Sequence, residues 1–281
     1  GYKPMIAQFK QRISEINRVQ PLNPVMMELL QAIQDSNSEA DDLKRIIDSD
    51  ANTSATILKI ANSPFYGLSG KIRNVRDACV LLGFDQLRNI IYATALHHAT
   101  SNGPHPKWRL ALSQHALTSA VISHTLAQLP EIPVEPGLAY SLGLLHELGK
   151  QILICEMPDI FEAFMELADA DSAAEYEPLF AEAGVIIANK WRLPDSFRES
   201  IAHCHTRTDQ HGEFLEDIKL VRCAHSVAQA CGFPTPGNCS EATPSETLSK
   251  YYPDLDIDKV VQHIQEKLSE NQDLTRESQH D

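Results

Sequence analysis

Apolar residues recur every three or four positions along most of the chain, the spacing of side chains that share one face of an α-helix. Leu22, Val25, Met26, Leu29, Leu30 and Ile33, behind Pro21, predict a helix over 21–33. Ser38 with Asp41 and Asp42 has the chemistry of a capped start, since their oxygens can accept from backbone amides that have no partner in the first turn. A second helix is therefore expected up to Asp50. Ile57, Leu58 and Ile60 place a short helix over 51–61. Pro64 and Gly67 then stop the pattern, with Phe65 and Tyr66 as aromatic anchors between them. Asn74 and Asp77 offer a cap ahead of Ala78–Leu82, Gly83 interrupts, and a long helix follows over 85–99. Beyond it, helices are expected over 108–129, 138–155, 158–169, 173–191, 195–204 and 214–231, then a loop over 232–247. A last amphipathic helix over 256–270 carries Ile257, Val260, Val261, Ile264 and Leu268. No run alternates with the period of two that a half-buried strand shows, so no sheet is expected.

The pattern predicts an all-α, multi-helical fold. Its best internal boundary is the loop at 101–107, where a glycine and two prolines stop one helical block before Trp108 opens another. The expected organisation is an N-terminal helical block over 1–100, a helical core over 101–235, and a loop with a C-terminal helix and frayed tail over 236–281. With 281 residues, 43% hydrophobic and 22% charged, the chain can bury a large core.

Charge and cysteine content narrow the function classes. Subtracting 38 acidic from 24 basic residues leaves -14, which opposes non-specific nucleic-acid binding through phosphate contacts. Lys59, Lys71, Arg73, Arg76 and Arg88 form the one basic stretch, read as solvated surface, so no nucleic-acid partner is expected. No run approaches the roughly twenty apolar residues a membrane helix needs. The opening GYKPMIAQFKQR has no apolar signal core, and Gly1 in place of methionine fits a start inside a longer chain. Six cysteines without a C-x-x-C pair read as reduced thiols, so a cytoplasmic location is expected.

Candidate chemistry centres on the run from Leu142 to Leu153, where His146 and Glu147 sit side by side in an apolar stretch beside Gly149. An imidazole and a carboxylate there could supply two ligands to a divalent ion. His115, His124, His203, His205, His211 and His225 lie in the same half of the chain as further donors, whereas inward-facing carboxylates are scarce. A phosphate loop, a G-x-S-x-G elbow and an H-E-x-x-H helix are all absent. A nucleophile built from Cys204 with His203 or His205 is disfavoured, because adjacent helical residues point about 100° apart.

Three runs carry a family likeness. Ala61–Ile91 (ANSPFYGLSGKIRNVRDACVLLGFDQLRNII), Gly143–Lys150 (GLLHELGK) and Trp191-Arg-Leu-Pro194 with Ile201-Ala-His-Cys-His205 together resemble the signature of the HDOD family, the HD-related output domains of bacterial signalling proteins. The resemblance spans about residues 15–230 and implies an N-terminal helical block packed on a core like that of HD metal-dependent phosphohydrolases. Carried over position by position, His115 matches the first histidine ligand and His146 the histidine of the central pair, with Glu147 where aspartate is usual. Phe180 stands where active relatives have histidine, Cys204 and His205 replace a His-His pair, and His225 falls near the last aspartate.

The resemblance therefore implies a residual metal set of His115, His146, Glu147 and His205, with no catalytic residue and no required cofactor; any ion would be divalent, zinc or nickel. It implies a non-catalytic signalling module that binds a protein partner at the groove between the two blocks. Asn62, Pro64, Phe65, Tyr66, Leu68 and Arg88 are its candidate interaction or structural residues. The alternative is a metal-dependent phosphohydrolase or phosphodiesterase with a degraded site. Oligomeric state and the role of the C-terminal helix are left open by the sequence.

Overall fold

The computed structural model describes residues 2–18, 22–68, 70–167, 169–206, 212–237 and 243–271. Among these every regular element is helical. In chain order they are α1 (Tyr2–Arg12), a 3-10 turn (Ile13–Arg18), α2 (Pro24–Ala32), α3 (Ala40–Asp48), α4 (Ala51–Ala61), a 3-10 turn (Pro64–Tyr66) and α5 (Val75–Thr100). Next come α6 (Pro106–Ala127), α7 (Pro136–Leu145), α8 (Leu148–Glu156), α9 (Pro158–Met165) and α10 (Ala170–Ala174). The series closes with α11 (Glu177–Lys190), α12 (Asp195–His203), α13 (Leu215–Ala230), α14 (Pro244–Tyr251) and α15 (Ile257–Glu270).

The chain forms two compact units, one of Gly1–Val19 with Asn102–Ser269 and one built on Gln20–Ser101. The first unit gathers segments that the sequence pattern left separate. Phe9 of α1 packs its ring against Tyr176 and Phe180. From the other end, Leu248 of α14, Tyr252 just after it, and Val260 and Ile264 of α15 share one core with Ile122, Leu126, Leu220 and Val227. The C-terminal helix thus covers its own unit.

Capping explains most helix starts. Asn23, Asp50 and Asn74 accept from the amides of Met26, Thr53 and Asp77. At α3 the cap is Glu39, paired reciprocally with Asp42, one residue beyond Ser38. Gly83, at φ 81° and ψ 172°, kinks α5 where the pattern is interrupted. The loop expected through 247 ends at Thr243, which forms a capping box with Glu246 ahead of Pro244 at the first helical position. Pro and Gly in the preceding residues had masked that signal.

The decisive difference lies in the helix expected over 138–155, which is two helices with Glu147 between them at φ -101° and ψ 27°. Two glycines flank the break and hold it against neighbouring backbone. A Cβ on Gly143 would lie 2.5 Å from Ser123 Oγ and 2.6 Å from the Ser119 carbonyl on α6. One on Gly149 would lie 1.9 Å from the Phe180 carbonyl on α11. Helix α7 is thereby pressed onto α6, and α8 onto α11.

Candidate metal centre

The break between α7 and α8 turns His146 and Glu147 toward the same point, which adjacent residues of an unbroken helix could not reach. His146 Nε2 and Glu147 Oε1 are 3.8 Å apart. His115 on α6 and His225 on α13 complete the group: His115 Nε2 lies 3.2 Å from His146 Nε2 and 2.9 Å from His225 Nδ1. His225 Nδ1 is 3.0 Å from His146 Nε2 and 3.5 Å from Glu147 Oε1. All four residues are buried, with exposures of 0% (His115), 2% (His146), 4% (Glu147) and 4% (His225).

Backbone carbonyls fix two of the tautomers. His115 Nδ1 is 2.7 Å from the Phe233 carbonyl and His146 Nδ1 is 2.6 Å from that of Gly143. A carbonyl only accepts, so each Nδ1 carries the hydrogen and each neutral ring presents a bare lone pair at Nε2. Burial, with neighbouring histidine charge adding to it, pushes His115 and His225 well below the ordinary histidine range, and burial lowers His146 too. Uncharged imidazoles therefore face one another across the centre.

Beside them the charges balance. Lys150 Nζ is 2.6 Å from Glu177 Oε1 and 3.7 Å from Glu147 Oε2, above the rings of Phe164 and Phe180 at 5.4 and 5.9 Å. His205 Nε2 is 2.6 Å from Glu147 Oε1. Burial opposes the Glu147 carboxylate, but His205 and Lys150 outweigh it and hold this group well below the usual carboxylate range. Burial likewise opposes the His205 imidazolium, yet Cys204, Glu147 and Glu177 hold it well above the ordinary histidine value.

These shifts set a pH dependence. The three lowered imidazoles refuse protons that the unfolded chain accepts near 6.5, so stability falls as pH drops below that value. His205 contributes fully below 6.5, and its contribution is lost as pH rises through its raised folded value. The Glu147 contribution is present above 4.5 and is lost as pH falls toward its lowered folded value. Melting temperature followed from pH 5 to 9 should peak close to pH 7, with the acid side steeper than the alkaline side. A melting temperature that keeps rising toward pH 9 would contradict this charge assignment.

The donor set fits a divalent ion. Nitrogens 2.9–3.2 Å apart approach the edge of a tetrahedron around zinc, about 3.3 Å for bonds of about 2.05 Å. Of the residues expected from the sequence, His115, His146 and Glu147 meet with His225, while His205 belongs to an adjoining group with Glu147 and Glu177. His203 pairs with Glu199 at 3.4 Å, and His211 lies outside the described residues. Lys150 and Glu177 were not anticipated. A lysine within the apolar run of α8 was the available signal for a buried counter-charge.

The interaction residues expected from the sequence all lie in the smaller unit. The Asn62 amide donates to the carbonyls of Leu58 and Ile72 at 2.9 and 2.8 Å and accepts from the Ile72 amide at 3.0 Å, tying the loop shut. Arg88 donates to the Ile33 carbonyl at 3.2 Å. Pro64, Phe65, Tyr66 and Leu68 are half-buried, with the Phe65 and Tyr66 rings edge to face at 5.0 Å.

The sequence model of the HDOD domain matches residues 19–207. The chain belongs to the HDOD family. Its fold is shared with an HDOD protein of Geobacter sulfurreducens of unknown function, at a TM-score of 0.76, 19% identity and coverage of 99% of both chains. It is also similar to a candidate signal-transduction protein of Marinobacter aquaeolei VT8 (TM-score 0.70, 20% identity, 99% of this chain and 65% of that one). A candidate phosphohydrolase of Shewanella amazonensis SB2B has the same fold (TM-score 0.73, 18% identity, 95% and 97% covered). An uncharacterised protein of Treponema pallidum is 22% identical over 242 residues, which are 83% of this chain and 46% of the relative. The chain thus spans about half the length of that curated relative. The HDOD match ends before His225, so one of the four converging donors comes from beyond it. Among the described residues no helix is long and apolar enough to cross a membrane.

Proposed function

We propose that this HDOD chain is a non-catalytic regulatory module of bacterial signalling that acts by binding another protein. The observation carrying this reading is the condition of Glu147. A hydrolytic metal centre needs an open coordination position where a water can be activated and a substrate can enter. Here the carboxylate beside the imidazoles is already held by His205 at 2.6 Å, with the Lys150 ammonium 3.7 Å from its other oxygen. The imidazoles of His115, His146 and His225 are at most 4% exposed. Phe180, where active relatives have histidine, packs edge to face against the rings of Phe9, Phe161 and Phe164 instead of supplying a ligand.

For the partner, the family-signature run offers an apolar surface. Val80 is 73% exposed and Leu81 51%, on the first turns of α5. Partner capture from the source organism, followed by affinity measurement, tests the reading. His146→Gln should leave affinity unchanged, and Val80→Asp with Leu81→Asp should weaken it at least about tenfold, or 1.4 kcal/mol. Loss of partner binding in a folded His146→Gln protein, with none in the double variant, would overturn it.

A further inference from the structure

We propose that the first two turns of α5, with Arg76, Val80 and Leu81 on the outside and Lys71 and Arg73 just ahead of them, dock an acidic amphipathic helix of the partner protein. The proposal rests on the reading of a protein-binding module and names the chemistry of what it binds.

Apolar exposure makes the first argument. Val80 at 73% and Leu81 at 51% are the large hydrophobic side chains left exposed among the described residues. They stand side by side on a helix whose inner face here, Val75 and Ala78, is buried. Arg76 lies one turn before Val80 and Asp77 one turn before Leu81, so the four share the outer face.

Charge makes the second. The chain carries -14 in total, yet Asp77 is the only carboxylate between Asp50 and Asp85. Lys71, Arg73 and Arg76 are exposed, and no carboxylate among the described residues pairs with their side chains. Asp77 turns back into the helix start that Asn74 caps, where its Oδ2 accepts from the Arg73 amide at 3.1 Å. Three cations therefore border two bare aliphatic side chains.

The occupant follows from these two features. A convex helix face offers no unpaired backbone to an extended strand, whereas its rows of side chains one turn apart interlock with those of another helix. Aliphatic anchors on that helix cover Val80 and Leu81, and flanking glutamates or aspartates meet the three cations. A second copy joined about a twofold axis would instead bring like charges together. A nucleic acid would satisfy the cations and leave the aliphatic pair in water.

The test uses the full chain and three synthetic amphipathic helices that share one leucine face and differ in their flanking residues, glutamate, glutamine or lysine. Wild type should bind the glutamate helix at least about tenfold more tightly than the lysine helix, a preference that shrinks as added salt screens the charges. Lys71→Glu, Arg73→Glu and Arg76→Glu together should reverse that preference. Val80→Ser with Leu81→Ser, which adds no charge, should weaken the glutamate helix at least about tenfold. No binding of the glutamate helix, equal affinity for all three, or a preference that survives charge reversal in a folded protein would overturn the proposal. A wild-type dimer that the two serines dissociate would overturn it in favour of a second copy. Duplex DNA bound through the three cations more tightly than the glutamate helix would overturn it in favour of a nucleic acid. The module reading is judged by partner affinity in His146→Gln, so failure here leaves it standing.

Discussion

Gly149→Ala is expected to destabilise the larger unit by at least about 3 kcal/mol, lowering the melting temperature by roughly 6–12 °C. The new methyl group would lie 1.9 Å from the Phe180 carbonyl, 2.9 Å from its carbon and 3.0 Å from the Gly184 amide. All three are backbone atoms and cannot swing aside as a side-chain tip can. Relief requires α8 and α11 to move apart. That movement would separate Lys150 from Glu177, a pair 2.6 Å apart with the ammonium buried. Gly212→Ala is the matched control, since a Cβ there meets nothing within 4 Å. A Gly149→Ala protein melting within roughly 2 °C of wild type would mean that the two helices do not cross this closely.

Glu147→Gln should cost about 3–5 kcal/mol, the range for removing one partner from a buried ion pair. The carboxylate answers two cations, His205 at 2.6 Å and Lys150 at 3.7 Å, and is itself 4% exposed. The amide keeps the shape but offers His205 no charge. Glu147→Asp keeps the charge and withdraws it by one methylene, so its loss should be smaller. Combining Glu147→Gln with Lys150→Met removes a charge of each sign, and the double variant should be more stable than the sum of the single losses predicts. Urea midpoints for wild type, the three single variants (Glu147→Gln, Glu147→Asp and Lys150→Met) and the double variant check this order. Strict additivity would show that Glu147 and Lys150 do not interact.

Much of the helical architecture was legible because it rests on local rules. The 3.6-residue period, the Asn74 cap, the kink at Gly83 and the breaks at Pro64 and at 101–107 each act within a few residues. Failures arose where tertiary packing overrides local preference. Residues 138–155 read as one apolar helix, yet the close approaches at Gly143 and Gly149 divide it at Glu147. The α14 start was hidden by a Pro- and Gly-rich neighbourhood despite its Thr243–Glu246 box. For the site, the His146–Glu147 pair was conspicuous as polar residues in an apolar run, and His115 followed from family likeness. His225 was a candidate among seven histidines. Choosing it over His205 as the fourth converging donor needs the approach of α13 to α6 and α7, which no local pattern encodes. Lys150 was overlooked because lysines are usually solvated, and its burial depends on Glu177, twenty-seven residues away.

The proposed function requires that this HDOD chain does not hydrolyse phosphoesters. It is tested most directly by initial rates on a chromogenic phosphodiester and a phosphomonoester, with chelator-stripped protein reloaded with Zn2+, Ni2+ or Mn2+. The account predicts rates for wild type indistinguishable from those of His146→Gln under every metal. Metal-dependent turnover by wild type that disappears in a folded His146→Gln protein would contradict it, and would make the histidine–glutamate cluster a working catalytic centre.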